Sequence, residues 1–328
     1  MNVLVTGATG FIGSFVAEKL LEKNYNVRCL IRSTSNLRWL EGKDYELVEG
    51  SLSNIDSLET ATKNVDYIYH IAGNTSAKNL DEYINGNRNG TINLIEAALK
   101  NAPNLKRFLY VSSQTACGPA LSIDKPTTED SPLNPITDYG YSKKLAEEAL
   151  KSYIDKLPFT IVRPPAVYGP RDTEIYSIFK MINSGLCAYM GFNKKILSLV
   201  HVDDLSDGII TSAETQATLG KTYFITSEEF YDWKDIYNLM KKELNKKVTL
   251  NIHLPHFLVL GAGAISGFIG SFGKKPPVFN YQKGIDFIQQ YWICSVKSAT
   301  KDFGYRQKIS LEQGVKDTIK WYKDMKWL

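Results

Sequence analysis

Three glycines spaced three residues apart follow the first apolar segment of the chain, and they constrain its fold most. Residues 2–6 are apolar and uncharged, as expected of a strand buried on both faces, and Gly7, Gly10 and Gly13 come directly after them. Apolar residues then recur with helical spacing over residues 11–21. Glycine permits positive φ and close backbone approach, and a helix N-terminus offers free N–H groups to phosphates. The order strand, glycine turn, helix therefore predicts a dinucleotide-binding turn.

The rest of the first half repeats the alternation of strand and helix signals. Further strands are predicted at 27–31, 45–48, 66–70, 107–111 and 159–162, and helices at 91–100, at 142–153 and behind Ser53 as a cap. Strands that alternate with helices imply right-handed crossovers and a mostly parallel sheet with helices on its faces. We predict an α/β fold in which residues 1–165 form a doubly wound, Rossmann-like parallel sheet.

Beyond Pro164 the pattern changes. Gly, Pro and aromatic residues become frequent, and helical patterns follow Asp232 and Ser310, the second of which opens a capping box. Residues from about 198 to 226 are expected to return to the first domain, whereas 166–197 and 227–328 form a smaller, mainly helical substrate-binding lobe. Sheets of this type bind ligands at the carboxyl ends of their strands, where this lobe is expected to lie.

Charge and cysteine content exclude several classes of function. The 39 basic and 35 acidic residues leave a formal net charge of +4, without the clustered basic face that nucleic acid requires. The four cysteines are far apart and lack metal-ligand spacing, which favours a reducing cytoplasm. The N-terminus starts a strand almost at once and shows no signal-peptide pattern, so we expect a cytoplasmic protein that does not bind nucleic acid.

Two histidine groups are candidate metal ligands. His201 stands beside Asp203 and Asp204, but the segment is expected to be a strand end that leads into a helix capped by an aspartate. His253 and His256 have a loose ligand spacing around a proline and no further partners. We therefore predict no metal site.

One uncharged stretch, residues 257–272, could be mistaken for a membrane span. It is rich in glycine and shorter than the roughly 20 residues that cross a bilayer. We predict a core or pocket-lining helix without stable membrane insertion, and contact with a membrane surface is the alternative.

The end of the second strand bears on the choice of cofactor. An acidic residue at this position would bind both ribose hydroxyls of NAD, but the chain has Ile31 followed by Arg32. A guanidinium matches the geometry of a 2′-phosphate, so we predict a preference for NADP(H), with NAD(H) as the alternative. Arg28 and Arg38 are candidate additional contacts.

Tyr139 and Lys143 form a candidate catalytic pair. Four residues apart at the start of a helix, their side chains share one face, and an ammonium beside a phenol favours the phenolate. Such a tyrosine can exchange a proton with a carbonyl or hydroxyl oxygen. Ser112 and Ser113 end the fifth predicted strand, where loop residues face the ligand crevice, and a hydroxyl there could hold the reacting oxygen.

These residues together resemble an extended short-chain dehydrogenase/reductase of the NAD(P)-dependent epimerase/dehydratase superfamily. The resemblance runs from residue 1 to the C-terminus. Its pieces are the glycine motif at 6–13, YHIAG at 69–73, Asn87 with GTIN at 90–93, VSS at 111–113, YGYSK at 139–143, VRPPAVYGP at 162–170 and VHVDD at 200–204.

The resemblance assigns roles by position. It implies Tyr139 as the acid/base, Lys143 as the ribose-binding residue that lowers the tyrosine pKa, and Ser113 as the hydroxyl that holds the substrate oxygen. Tyr139 and Lys143 also contact the cofactor. The other cofactor-binding candidates are Thr6, Gly7, Gly10, Phe11, Ile12, Gly13, Arg32, Ser51, Leu52, Ala72, Gly73, Pro165, Ala166 and Val167.

Two positions depart from the family pattern. Ser51 stands where relatives usually have an aspartate near the adenine, which puts that contact in doubt. Cys117 replaces a common tyrosine before Gly118, which could reshape the floor of the pocket.

The sequence predicts hydride transfer better than it predicts the substrate. Leu197 stands where many nucleotide-sugar enzymes of the family have an arginine, and Pro164-Pro165 replaces their Phe-Asn pair. The apolar stretch 257–272 adds to a resemblance to dihydroflavonol-reductase-like and hydroxysteroid-dehydrogenase-like members. Our first hypothesis is an NADP-preferring reductase or dehydrogenase of a small, apolar ketone or secondary alcohol. The alternatives are a nucleotide-sugar epimerase or dehydratase and, third, a non-catalytic cofactor-sensing protein.

The predicted partners are few. We expect a small-molecule substrate, and by family resemblance a homodimer formed through the helices near 91–100 and 142–153. No surface pattern in the sequence tests the dimer.

Overall fold

A seven-stranded, entirely parallel sheet forms the centre of the protein, as predicted. The computed structural model describes residues 1–273, 277 and 279–328. The strands of this sheet are β1 (Asn2–Thr6), β2 (Asn26–Ile31), β3 (Glu46–Glu49), β4 (Tyr67–His70), β5 (Arg107–Val111), β6 (Phe159–Arg163) and β11 (Thr222–Phe224). Their order is β11-β6-β5-β4-β1-β2-β3, so the chain winds outward in both directions from β1 and β4. Such an order brings the loops after neighbouring strands together at one edge.

Helices cover both faces of the sheet. The helices are α1 (Phe11–Glu22), α2 (Ile55–Ala61), α3 (Leu80–Tyr83), α4 (Gly90–Asn101), α5 (Asp138–Lys151), α6 (Tyr176–Asn183), α7 (Val202–Glu214), α8 (Trp233–Glu243), α9 (His256–Ser271), α10 (Tyr281–Ile288), α11 (Lys297–Phe303) and α12 (Leu311–Asp324). Apolar residues of α1 and α7 pack on one face, and those of α2, α4 and α5 on the other. All residues of β4, β5 and β6 are buried, which explains why these segments are almost continuously apolar.

Two helix starts differ from the sequence prediction. The helix after β3 is capped by Asn54 rather than Ser53, because the Asn54 side chain accepts the Ser57 N–H. The helix predicted from residue 142 begins at Asp138, because the Thr137 hydroxyl accepts the Gly140 N–H. The first turn therefore contains Tyr139.

The C-terminal part contains more strands than the sequence predicts. Short strands form three small sheets: β7 (Ala166–Tyr168) with β10 (Leu199–His201); β9 (Ile196–Leu197) with β12 (Tyr231–Asp232) and β14 (Tyr291–Trp292); and β8 (Leu186–Met190) with β13 (Leu250–Leu254). Two to five residues show too little periodicity to identify such strands. Helices α6, α8 and α12 share a separate apolar cluster here. The lobe boundaries at 165 and 227 stay a prediction. Strand β11, from the segment predicted to return to the first domain, pairs with β6 as the seventh strand of the sheet.

Helix α9 corrects the prediction made for residues 257–272. The stretch is helical, but Phe257, Ile265 and Phe272 are 70%, 64% and 78% exposed, so most of its large side chains lie neither in the core nor in a pocket. The uniformly apolar composition carries no period that would indicate which face is buried. Among the described residues, no helix is long and apolar enough to cross a membrane.

Candidate active site

The glycine turn forms a close-packed cradle at the carboxyl end of β1. Gly7 has φ +78°, and a Cβ there would lie 2.7 Å from the Ala72 backbone nitrogen. A Cβ on Gly13 would lie 2.1 Å from the Gly7 carbonyl oxygen, so α1 can approach β1 only with glycine at this position. Gly10 precedes α1 without a side-chain cap, which leaves N–H groups of the first turn available. Phe11 and Ile12 lie half-buried in this turn.

Thr6 connects this turn to the end of β4. Its hydroxyl accepts the Ala72 N–H at 3.2 Å and lies 2.7 Å from Nδ1 of the buried His70. Nε2 of His70 is 2.9 Å from the Thr91 hydroxyl, which donates to the Asn87 carbonyl. Burial lowers the pKa of His70 to about 3, so the ring is neutral and links these groups without adding charge.

Arg32 lies exposed where β2 ends, and its backbone N–H donates to the Ser35 hydroxyl at 3.0 Å. The two arginines considered beside it are engaged elsewhere. Arg28 donates to the Ala61 and Lys63 carbonyls and pairs with Glu46. The Arg38 guanidinium lies 4.4 Å from the Trp39 ring centroid and 5.5 Å from that of Trp327. Of these three arginines, Arg32 is therefore the one whose guanidinium is best placed to bind a ligand.

Ser51 and Leu52 follow β3 at the same edge of the sheet. The Gly50 N–H donates to the Ile31 carbonyl, which holds this loop beside the end of β2. The Ser51 hydroxyl is 3.0 Å from that of Ser53, and the Leu52 carbonyl accepts from the Asn93 amide of α4. The structure thus brings Ser51 and Leu52 near Arg32.

Ser113, Tyr139 and Lys143 come together beyond the end of β5. The Ser113 side chain accepts from the backbone N–H and the hydroxyl of Thr115, at 3.2 and 2.8 Å, and hydrogen-bonds to the Tyr139 hydroxyl. Tyr139 and Lys143 lie on the same face of α5, and Lys143 is only 3% exposed. Ser112, by contrast, points away and donates to Glu147.

The Lys143 ammonium is held among backbone and aromatic groups. It donates to the Val111 carbonyl at 2.9 Å and to the Tyr110 hydroxyl at 3.2 Å, with the Tyr110 ring centroid 4.7 Å away. Burial lowers the pKa of Lys143 to about 8. Burial also raises the pKa of Tyr139, and the hydrogen bond from Ser113 opposes that increase. The sequence predicted that Lys143 lowers the pKa of Tyr139, but Lys143 is not among the main causes of the shift in this pKa.

Asn87 has a structural role that the motif alone did not reveal. The side chain is 1% exposed and lies in a π-helical turn (Ile84–Asn89), a distortion frequent at functional sites. It bonds both backbone groups of Asn74 and donates to the Ser142 hydroxyl at 2.8 Å. A Cβ on Gly73 would meet Asn87 Oδ1 at 2.9 Å and Lys143 Nζ at 3.4 Å. Asn87 therefore holds the loop after β4 against the N-terminal part of α5.

Pro165, Ala166 and Val167 lie next to this cluster. They follow β6, the neighbour of β5, and the Gln114 N–H donates to the Pro164 carbonyl at 2.9 Å. Ala166 is exposed and the two others are half-buried. The loop carrying Ser113 and the loop carrying Pro165 thus share one edge.

The C-terminal lobe supplies the opposite wall of the cleft. The Tyr83 ring packs against Tyr139 at 6.0 Å, and the Asp138 N–H donates to the Gln282 amide oxygen. The lining residues are mainly polar: Thr75, Ser76, Tyr83, Thr137, Tyr139, Pro277, Asn280, Gln282, Lys283 and Asp286. Lys283 pairs with Glu174 at 3.0 Å, and burial raises the pKa of Asp286 to about 7. These wall residues were not identified from the sequence, because α10 has no motif.

The histidines have structural contacts. His201 itself caps α7, since its Nδ1 accepts the Asp203 N–H, so the predicted aspartate cap is wrong. His253 stacks between Tyr189 and Phe192, with ring centroids 4.9 and 5.6 Å away. Cys117, at the predicted pocket floor, is buried.

Comparisons with known proteins agree with this architecture. The sequence pattern described as the NAD dependent epimerase/dehydratase family matches residues 3–226. The chain belongs to this family. Its members are NAD(P)-dependent reductases, epimerases and dehydratases.

The names of individual relatives refer either to lipids or to sugars. The chain is 27% identical to a ceramide reductase of Caulobacter vibrioides, over 99% of this chain and 96% of that one. It is 27% identical to a UDP-glucose 4-epimerase of Vibrio cholerae, over 97% and 94%. It is 25% identical to a decarboxylating sterol-4-alpha-carboxylate 3-dehydrogenase of Dictyostelium discoideum, over 96% and 98%. The solved UDP-glucose 4-epimerase of Thermotoga maritima with UDP-glucose has the same fold, with a TM-score of 0.82, 24% identity and 99% coverage of both chains.

Proposed function

We propose that this protein is an NADP(H)-dependent oxidoreductase that interconverts a ketone and a secondary alcohol. The observation that carries the proposal is the cluster of Ser113, Tyr139 and Lys143 beside Gly73, at the edge of the sheet where the glycine turn also lies. A protein that only senses a cofactor has no use for a phenol and an ammonium arranged in this way. The third, non-catalytic hypothesis is therefore the weakest.

The cradle at Gly7 and Gly13 fits a dinucleotide, because these glycines permit the tight turn and the close approach of α1 to β1, and the uncapped start of α1 offers N–H groups to a pyrophosphate. When bound, the nicotinamide ring supplies or accepts the hydride. The residues proposed to hold the cofactor are Thr6, Gly7, Gly10, Phe11, Ile12, Gly13, Arg32, Ser51, Leu52, Ala72, Gly73, Tyr139, Lys143, Pro165, Ala166 and Val167.

Three side chains would carry the chemistry on the protein side. Ser113 donates a hydrogen bond to the reacting oxygen, and Tyr139 exchanges the proton with that oxygen. A charged Lys143 would favour the phenolate of Tyr139, whose pKa burial raises. A charged Lys143 also has N–H groups to donate to a ribose.

Tyr139→Phe tests the acid/base role. Removing the hydroxyl should lower kcat by about 10²–10⁴-fold, the usual contribution of general acid–base catalysis. Tyr141→Phe is the matched control, since Tyr141 is 40% exposed on the same helix and should lose little activity. Turnover retained in Tyr139→Phe would remove the proposed acid/base.

The preference for NADP rests on Arg32. Arg32→Ala should weaken NADPH binding by about tenfold, the typical loss of a charge-assisted hydrogen bond, and leave NADH binding unchanged. Isothermal titration with both cofactors measures this. Equal affinities for NADH and NADPH in the unaltered protein, with no effect of Arg32→Ala, would contradict the preference.

The preferred substrate class is an apolar alcohol or ketone. The exposed face of α9 does not line the cleft, so the apolar pocket expected from residues 257–272 is not a reason for it. The similarity of the chain to a ceramide reductase and a sterol dehydrogenase supports this substrate class. Lys283 is the one cation among the described lining residues, and its pairing with Glu174 leaves little positive charge for a diphosphate.

The second candidate is an epimerase or dehydratase on a nucleotide sugar. It is favoured by the similarity to the UDP-glucose 4-epimerase of Vibrio cholerae along nearly the whole chain. A substrate panel followed at the nicotinamide absorbance separates the two, with long-chain ketones and alcohols beside UDP- and dTDP-sugars. Net consumption of NADPH or NADP supports the first. Conversion of a sugar without net consumption would replace it by the second.

A further inference from the structure

Helix α9 exposes most of its large apolar side chains, whereas Val259, Gly263 and Gly270 face inward. The outward positions recur every three or four residues along the helix, so they form one continuous face. The large side chains of this face are Phe257, Leu258, Ile265, Phe268, Ile269 and Phe272, each between 49% and 78% exposed. A continuous exposed apolar face made of six large side chains marks an interaction site.

The inner face of α9 is fixed by glycines. A Cβ on Gly263 would lie 2.7 Å from the Asn280 carbonyl oxygen, and one on Gly270 would lie 2.7 Å from the Pro277 ring. Rotation of the helix to bury its phenylalanines would therefore drive side chains into this backbone. The outward direction of the apolar face is thus built into the packing.

The packing also connects α9 to the cleft. Asn280 and Pro277, on which the glycines rest, themselves line the cleft beside Tyr139. At the start of the helix, His256 lies against Gly191, and the neighbouring Phe192 is 77% exposed. Only the segment with Pro277 and Asn280 therefore separates α9 from the candidate active site.

The charges along this part of the chain indicate what covers it. Residues 244–282 contain no Asp or Glu but four lysines, in pairs at 246–247 and 274–275 that flank the apolar stretch in the sequence. A second copy docked on this face in the usual isologous way would bring like charges together. An anionic lipid surface would instead attract the lysines while its acyl chains accept the phenylalanines.

We propose that the apolar face of α9 docks on an anionic lipid bilayer and lies in its interfacial plane. The helix has 16 residues, about 24 Å at 1.5 Å per residue, and this length suits a helix that lies along the surface better than one that spans the bilayer. Docking does not depend on the proposed function, since it uses none of Ser113, Tyr139 or Lys143.

Flotation with phospholipid vesicles tests the proposal on the full chain. The protein should float with vesicles of phosphatidylcholine and phosphatidylglycerol (7:3) and bind more weakly to phosphatidylcholine alone. The combined variant Phe257→Ser, Ile265→Ser, Phe272→Ser should lower the bound fraction by at least about tenfold, because the apolar area that enters the bilayer is lost. The control variant Leu121→Ser, Ile123→Ser, Ile154→Ser removes three exposed apolar side chains from other elements and should bind unchanged.

Other outcomes overturn the proposal. Equal flotation of both triple variants, or no flotation with either vesicle, would exclude docking through α9. A dimer that dissociates only in the α9 variant, as measured by sedimentation without vesicles, would assign the face to a second copy. Tyr139→Phe should float like the unaltered protein, which keeps the failure of docking distinguishable from the failure of the proposed function.

Discussion

Asp286 is a carboxyl group in the cleft whose buried environment disfavours its charged form. Its Oδ1 is buried without a hydrogen-bond partner among the described residues, and burial raises its pKa to about 7 against the opposing effect of Lys283. Glu174, which pairs with Lys283, raises it further. Near neutral pH this carboxyl can therefore either donate or accept a hydrogen bond in the substrate cleft.

The raised pKa of Asp286 makes a prediction about stability and pH. Between about pH 4 and pH 7 the folded state holds a proton that the unfolded state has lost, so this group lowers the free energy of unfolding as pH rises through that window. Asp286→Asn should therefore leave stability at pH 4 almost unchanged and increase it at pH 8. Urea unfolding at both pH values measures the difference.

An equal effect of Asp286→Asn at pH 4 and pH 8 would contradict this account of the carboxyl. Asp81→Asn serves as the control, because Asp81 lies in the first turn of α3 outside the cleft lining. It should show no such increase at pH 8.

At the scale of elements, a buried ion pair joins three parts of the site. Arg163 at the end of β6 donates to both carboxylate oxygens of Glu147 on α5, at 2.9 and 2.6 Å, and Ser112 after β5 donates to the same carboxylate. Glu147 is fully buried and Arg163 is 1% exposed. The pair thereby fixes α5, which carries Tyr139, against the ends of β5 and β6.

Glu147→Gln should destabilise the protein by about 3–5 kcal/mol, because it leaves the Arg163 charge buried without its counter-ion. The neighbouring Glu148 is half exposed, and its ion pair with Lys144 is long at 3.9 Å. Glu148→Gln should therefore lower the free energy of unfolding by no more than about 1 kcal/mol. Guanidinium unfolding of both variants measures the two costs. Equal losses would mean that the buried pair does not fix α5.

The sequence predicted those elements whose own residues determine them. The strand, turn and helix at 2–22 and the helix behind Ser310 carry periodicity and capping signals in consecutive residues, and both are found. The Ser310 side chain accepts the Gln313 N–H, as the capping box requires. The cluster of Ser113, Tyr139 and Lys143 was also predictable, because neighbouring parallel strands end at one edge.

What the sequence could not predict depends on residues far apart in the chain. The ion pair of Glu147 and Arg163, the wall formed by α10 and the outward face of α9 arise from tertiary packing. The glycine content of residues 257–272 argued against a membrane span, but it did not reveal that Gly263 packs against Asn280. The homodimer and the cytoplasmic location stay predictions.

At the scale of the whole molecule, helices from distant parts of the chain cover one face of the sheet together. Apolar residues of α1, including Val16 and Leu20, pack in the same cluster as Leu205 and Ile209 of α7. Two ion pairs also join α1 to α7: Lys19 pairs with Asp207 and Lys23 pairs with Glu214, each at 2.7 Å. The N-terminal half therefore does not contain the whole of its own core.

A fragment ending at residue 165 should accordingly fail to form a stable native core, although it contains six of the seven strands of the sheet. It should bind the dye ANS and aggregate, because α1 and β6 are left uncovered. A fragment ending at residue 226 adds α7 and β11 and should bind less dye. Equal dye binding by the two fragments would contradict the role assigned to α7.

The same arrangement has a consequence for how the protein is made. While the ribosome synthesises the chain, the hydrophobic side of α1 emerges about 190 residues before α7, so it stays unprotected for roughly 10–40 s at 5–20 residues per second. During that interval the nascent chain should be a client of a chaperone that binds apolar segments. Slower synthesis would lengthen its exposure rather than help it fold.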